Sequence, residues 1–185
     1  MLDNIDRKFR LKERITRPFL RNVNPNYVSI LGFLLSIPTG YLIFKEFYLP
    51  ASIFLVLHAY CDILDGSIAK KYKKTKKGDF LDHTFDRLSD TFIFLGLSFN
   101  PKINSVLGFL TIIIILLVSY LGTQAQALTK KRLYSGFGRA DRFLLLFIFL
   151  IVSDFWFVLD HGVLLILILS LISFVYRFFI ILKSL

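Results

Sequence analysis

Cysteine is nearly missing from this chain of 185 residues: Cys61 stands alone, so no internal disulfide can form. Residues 1–24 are charged throughout and lack the apolar core of a cleavable secretory signal. Membrane insertion is therefore expected to be directed by the first apolar segment. Internal repeats, low-complexity linkers and signs of a second domain are also wanting. The stretches 106–119, 143–152 and 163–175 have almost no polar residues and hence no face to offer water. A soluble helical domain needs such a face, which argues against that class.

What the chain has instead is apolar bulk. Hydrophobic residues make up 55% of it and its mean hydropathy is +0.63, against about 45–50% apolar residues in ordinary soluble domains. The apolar residues come in blocks near the roughly 20 residues that cross a hydrocarbon core. Spans are expected at about 27–44, 49–69, 80–98, 103–127, 140–158 and 163–181. The expected fold class is an all-α membrane protein with six transmembrane helices. Residues 1–24, where seven basic side chains interleave with Leu2, Ile5, Phe9, Leu11, Ile15, Phe19 and Leu20, read as an amphipathic helix on the membrane surface. Residues 25–185 form the transmembrane domain.

The formal charge of +10 raises the question of a nucleic-acid partner, and its distribution answers it. With the spans numbered in order, one side holds twenty basic residues: seven in 1–24, six in 70–77, five in 130–142, and Arg177 and Lys183. The other holds Lys45 and Lys102. This is the positive-inside bias of short loops, so no nucleic acid is expected, and both termini and the basic loops are placed in the cytoplasm of a cell-membrane protein.

Against this background the acids stand out. The second span ends with Asp62 and Asp65, three apart, and the third begins with Asp82 and Asp86, four apart. Each pair shares one face of its helix. The short basic loop 71–77 makes the two helices antiparallel neighbours whose acidic faces can meet. An aspartate within a spanning helix costs about 2.5–3.5 kcal/mol at mid-depth, and such residues usually face a protein interior or a watery cavity. Four carboxylates brought together would repel one another unless a cation joined them. Oxygen ligands without thiolate favour Mg²⁺, Mn²⁺ or Ca²⁺. Ion pairing with Lys70, Arg87 and the basic loop is the structural alternative, and His83 reads as a packed or hydrated neighbour. Gly66 and Ala69 flank the acidic face with small side chains, which suits either a ligand at the backbone or close helix packing.

Together these residues, Asp62-x2-Asp65-Gly66-x2-Ala69-Lys70-x7-Gly78-x3-Asp82-x3-Asp86, resemble the signature of the CDP-alcohol phosphotransferases, membrane enzymes of phospholipid synthesis. Two departures are visible: Lys70 replaces an arginine, keeping the charge but losing the bidentate fork, and the gap before Gly78 is one residue shorter. The resemblance implies transfer of a lipid-linked phosphate from a CDP-activated lipid to a small alcohol, with release of CMP. It implies that Asp62, Asp65 and Asp82, completed by Asp86, hold two Mg²⁺ or Mn²⁺ ions, and that Asp86 is also the catalytic base. It further implies a nucleotide site of Asp62, Gly66, Ala69, Lys70, Gly78 and Asn26, a cytoplasmic active site and a homodimer.

For the acceptor, Arg139 and Arg142 are three apart at a helix start and share a face, an arrangement suited to phosphate, with Lys131 and Arg132 close by in sequence. A phosphorylated alcohol such as glycerol phosphate or inositol phosphate is the expected acceptor. The stretch 122–142 looks more like archaeal members of the family, which would make the donor CDP-archaeol rather than CDP-diacylglycerol. Asp90 and Asp154 receive no catalytic role. A cation transporter or channel is the competing reading; it would require polar groups across the whole membrane depth, whereas these acids gather at one end. A scaffold binding anionic lipid would leave the aspartates without a purpose.

Overall fold

The computed structural model describes Thr16 and residues 24–72, 75–130, 136–156 and 158–184. Six helices run through them: α1 (Pro25–Phe44), α2 (Tyr48–Tyr72), α3 (Lys76–Ser98), α4 (Ser105–Thr129), α5 (Arg139–Ser153) and α6 (Leu159–Ser184). No strand occurs among the described residues. The surface helix expected over 1–24 lies outside them, apart from Thr16 and Asn24.

Four helical segments are long and apolar enough to cross a membrane: Pro25–Phe44, Tyr48–Ala69, Ser105–Thr129 and Leu159–Ser184. Leu34, Val56, Ile113, Leu117, Ile168 and Ile172 on them are exposed, as expected of side chains that face lipid. The other two helices fall short for different reasons. α3 carries Lys76, Lys77, Asp79, Asp82, Asp86, Arg87 and Asp90. α5 has 15 residues, or about 22 Å of helix.

Helix ends differ from the sequence expectation in two places. The expected loop 71–77 is mostly helical, because lysines propagate a helix well. α2 continues to Tyr72, and α3 starts once Thr75 caps it by accepting the Gly78 N–H at 3.0 Å. The fifth apolar segment, expected to run to 158, is helical only to Ser153. Asp154 N–H then donates to the Ile151 carbonyl at 3.3 Å and Phe155 N–H to Val152 at 3.1 Å, a tightened last turn. Phe155 and Trp156 beyond it are exposed, so their apolar character reads as helix in the sequence without being helix.

Small residues let backbones approach. A methyl built on Gly96 of α3 would overlap the Gly40 carbonyl of α1, and one on Gly40 would overlap the Phe92 carbonyl. α1 thereby lies directly against α3, and it also packs on α2. Phe33 of α1 stacks on Phe85 at 5.4 Å and meets the edge of Phe92 at 5.8 Å. α4 packs on α3 and α6, and α5 on α2 and α6. The apolar core formed by Ile43, Leu55, Phe94, Ile115, Leu150 and Ile166 leaves the polar residues of α2, α3 and α5 gathered at one end.

Candidate active site

α2 and α3 bring the aspartates together as their spacing predicts. Carboxylate oxygens of Asp62, Asp82 and Asp86 all lie within 4.8 Å of one another. Asp65 is buried one turn further on, where it accepts a 2.5 Å hydrogen bond from the Ser29 hydroxyl of α1. Asp86 Oδ2 also meets Arg87 Nη1 at 3.5 Å. Cys61, whose Cβ lies against Gly32, is not among the converging residues, so the donors are oxygen. Three carboxylates at this separation suit a hard divalent cation such as Mg²⁺ or Mn²⁺.

Beside the cluster opens a cavity of ≈ 220 Å³. Asn26 and Ser29 of α1, Asp65, Gly66 and Ala69 of α2, and Gly78 and Asp82 of α3 line it. A methyl on Gly66 would meet nothing within 4 Å, so this glycine faces open space rather than a packed helix. Gly78 has two duties: its N–H goes to Thr75, and a methyl there would crowd Thr75 Oγ1 at 3.1 Å and Asn26 Oδ1 at 3.2 Å. The cap of α1 is Asn24, which accepts the Asn26 N–H at 3.0 Å. Asn26 is thus left to the cavity wall. Asp65 lines both this cavity and a smaller one shared with Asp62 and Asp86. His83 sits 3.9 Å from Asp79, outside the carboxylate triad.

The two arginines, expected as a phosphate-binding pair, meet carboxylates in this structure. Arg139 Nη1 donates to Asp62 Oδ1 and Asp86 Oδ1, each at 2.7 Å, and its Nε donates to Asp90 Oδ1 at 2.8 Å. Arg142 is buried and reaches Asp90 Oδ2 at 3.4 Å. Asp141 between them accepts the Gly138 N–H at 3.0 Å and so fixes the start of α5. Arg177 of α6 donates to the Val118 carbonyl at 3.3 Å, and its charge acts on Arg142. The Lys70 side chain, Lys131 and Arg132 lie outside the described residues.

Two members of this constellation were given no role in the sequence reading: His58 was not singled out, and Asp90 was assigned no catalytic part. His58 Nε2 stands 3.1 Å from Arg139 Nη2, and Asp90 receives both arginines. Their signal was spacing, since His58 lies one turn before Asp62 and Asp90 one turn after Asp86 on the same faces.

A carboxylate cluster beside an open, glycine-floored cavity agrees with comparison to known proteins. The family model for CDP-alcohol phosphatidyltransferase matches residues 22–176. The chain belongs to the CDP-alcohol phosphatidyltransferase family. It is therefore an enzyme, a CDP-alcohol phosphotransferase, which decides against the transporter reading. The chain is 34% identical over 157 residues to an archaetidylinositol phosphate synthase of Pyrococcus horikoshii, covering 84% of this chain and 81% of that one. The fold of this family member matches that of Mycobacterium tuberculosis phosphatidylinositol phosphate synthase with CDP-DAG bound. The TM-score is 0.77 and the identity 27%, over 93% of this chain and 94% of that one. The same synthase in complex with manganese and citrate matches with a TM-score of 0.76 and 27% identity, over 92% and 88% of the two chains.

Proposed function

We propose that this enzyme transfers a lipid-linked phosphate from a CDP-activated lipid to the hydroxyl of a phosphorylated polyol, releasing CMP, with inositol phosphate as the acceptor. The observation that carries this reading is the shared wall between cavity and cluster: Asp82 belongs to the carboxylate triad and also lines the ≈ 220 Å³ space in front of Gly66. A nucleotide resting on Gly66 and Ala69 would present its diphosphate to the carboxylate-bound cations. The names of the relatives, an archaetidylinositol phosphate synthase and a phosphatidylinositol phosphate synthase, support the choice of acceptor.

In this reading Asp62, Asp65, Asp82 and Asp86 hold two Mg²⁺ or Mn²⁺ ions, which neutralise the diphosphate and polarise the phosphorus under attack. Asn26, Gly66, Ala69 and Gly78 form the cytidine cavity, with Asp62 reaching the nucleotide from the adjoining triad and Lys70 serving the phosphates. Asp86 takes the acceptor's hydroxyl proton. The new bond joins the acceptor oxygen to phosphorus, and the bond from that phosphorus to the CMP oxygen breaks. Arg139 and Arg142, with Lys131 and Arg132, form the basic end at which the acceptor's phosphate docks.

The membrane frame follows from the same reading. α3 and α5 span with the other four helices, their polar residues sheltered by neighbours. Residues 1–24 lie on the cytoplasmic surface as a juxtamembrane helix, residues 25–185 form the catalytic domain, and the site opens to the cytoplasm, the side of the basic loops. The enzyme works as a homodimer on a CDP-archaeol or CDP-diacylglycerol donor.

The test is CMP release by purified protein with Mn²⁺ and a CDP-linked lipid, offered inositol phosphate, glycerol phosphate, serine or free inositol in turn. Release with inositol phosphate, abolished by Asp65→Asn, is expected. Release with serine or free inositol alone would refute the acceptor, and release unaffected by Asp65→Asn would refute the mechanism. Arg139→Ala should raise KM for the phosphorylated alcohol far more than KM for the CDP-lipid.

A further inference from the structure

Arg139 stands inside the carboxylate cluster rather than beside it. One nitrogen, Nη1, bonds the carboxylates of Asp62 and Asp86 at 2.7 Å each, and these are two of the three residues whose oxygens converge within 4.8 Å. A divalent cation and this guanidinium therefore address the same carboxylates.

The guanidinium is held from behind as well. Nε donates to Asp90 Oδ1 at 2.8 Å, and Asp90 is 2% exposed. Nη2 meets His58 Nε2 at 3.1 Å. The other nitrogen of His58 lies 2.8 Å from the Gly32 carbonyl oxygen, which can only accept. Nδ1 accordingly carries the proton and Nε2 is the acceptor for Arg139, an assignment made from the network. The Phe143 ring lies 5.0 Å from the guanidinium carbon, and His58 packs edge-on against that ring at 5.3 Å. Every nitrogen of Arg139 has a partner, and His58 and Asp90 have orientations set by Gly32 and Arg142. Such a pre-ordered fork forgoes little entropy on bonding.

We propose that Arg139 is the resident counter-cation of the carboxylate cluster, held there by His58 and Asp90 as positioning residues, and that it competes with the divalent metal for Asp62 and Asp86. The proposal rests on the metal reading of the cluster given above. Without metal, Arg139 compensates carboxylates that would otherwise repel one another. A metal that enters withdraws Asp62 and Asp86 from Nη1, and two cations so close together oppose each other. Nη1, once released, becomes available to an acceptor phosphate, which joins the two roles of Arg139.

The experiment measures Mn²⁺ alone, without substrate, binding to the full-length protein in lipid nanodiscs, read from the electron paramagnetic resonance signal of free Mn²⁺. Arg139→Gln removes the competing charge and should tighten Mn²⁺ binding roughly tenfold. Arg139→Lys restores a cation and should return the affinity toward wild type. Asp82→Asn should abolish binding, which locates the ion in this cluster. Unchanged or weaker binding by Arg139→Gln, with wild type still binding, overturns the proposal and leaves the metal reading intact. No binding by wild type or variant overturns both, and binding that survives Asp82→Asn places the ion elsewhere and overturns the competition. Should Arg139→Gln not fold, His58→Phe keeps a ring against Phe143 but removes the Nε2 acceptor. It should show tighter Mn²⁺ binding and a larger rise in melting temperature on Mn²⁺ addition than wild type, and equality with wild type in both overturns the positioning role.

Discussion

Alanine at position 66 would add one methyl group to the interior of α2, and the structure separates what this does to the fold from what it does to the chemistry. A glycine inside a helix is less stable than alanine by about 0.5–1 kcal/mol. The new methyl meets nothing within 4 Å, so no packing loss opposes that gain. Gly66→Ala should therefore raise the melting temperature by roughly 1–4 °C for a chain of this size. The methyl nevertheless projects into the space assigned to cytidine. One methylene too many in a tight pocket changes discrimination by roughly tenfold or more, so KM for the CDP-linked lipid should rise by that order. Gly96→Ala is the contrasting case, because its methyl would overlap the Gly40 carbonyl. Overpacking of this kind costs about 1–3 kcal/mol, which should lower the melting temperature. Thermal unfolding in detergent and CMP-release kinetics read both quantities. A Gly66→Ala protein that melts lower than wild type, or that keeps its KM for the CDP-lipid, would refute the reasoning.

Asp90→Ala removes the carboxylate that buried Arg142 pairs with among the described residues and takes the Nε partner from Arg139; removing one partner of a buried pair costs about 3–5 kcal/mol, which should appear as a large fall in folded yield. Lys102→Ala breaks a 2.5 Å pair with Glu46 that is open to water, where solvent screening leaves an ion pair little net worth, and should leave the melting temperature unchanged. Chelation by EDTA should stop CMP release and Mn²⁺ should restore it; release that persists in EDTA would remove the metal from the mechanism.

The acidic cluster was legible because it is written in local spacing. Offsets of three and four residues align Asp62 with Asp65 and Asp82 with Asp86, and a short connection makes their helices neighbours. The openness at Gly66 was legible only as an alternative, since a packing glycine such as Gly96 looks the same in a sequence. The network around Arg139 was not legible, because its partners His58, Asp62, Asp86 and Asp90 are brought to it by tertiary packing from 49 to 81 residues away. The Arg139 and Arg142 pair was recognised as sharing a face, but the alignment of Asp90 with Asp86 gave no sign that both arginines address it. Helix ends were misplaced where composition misleads: the lysines after Ala69 propagate α2, and Phe155 and Trp156 imitate a continuation of α5.

The central claim is that the carboxylates of α2 and α3 carry metal-dependent transfer from a CDP-linked donor, and Asp82 tests it most directly because it joins the triad to the cavity. CMP release from a CDP-linked lipid, measured with inositol phosphate at the Mn²⁺ concentration that saturates wild type, should fall by roughly a thousandfold in Asp82→Asn, the scale of the several kcal/mol a bound metal contributes to charge stabilisation. Release within a few-fold of wild type, still dependent on Mn²⁺, would contradict the account.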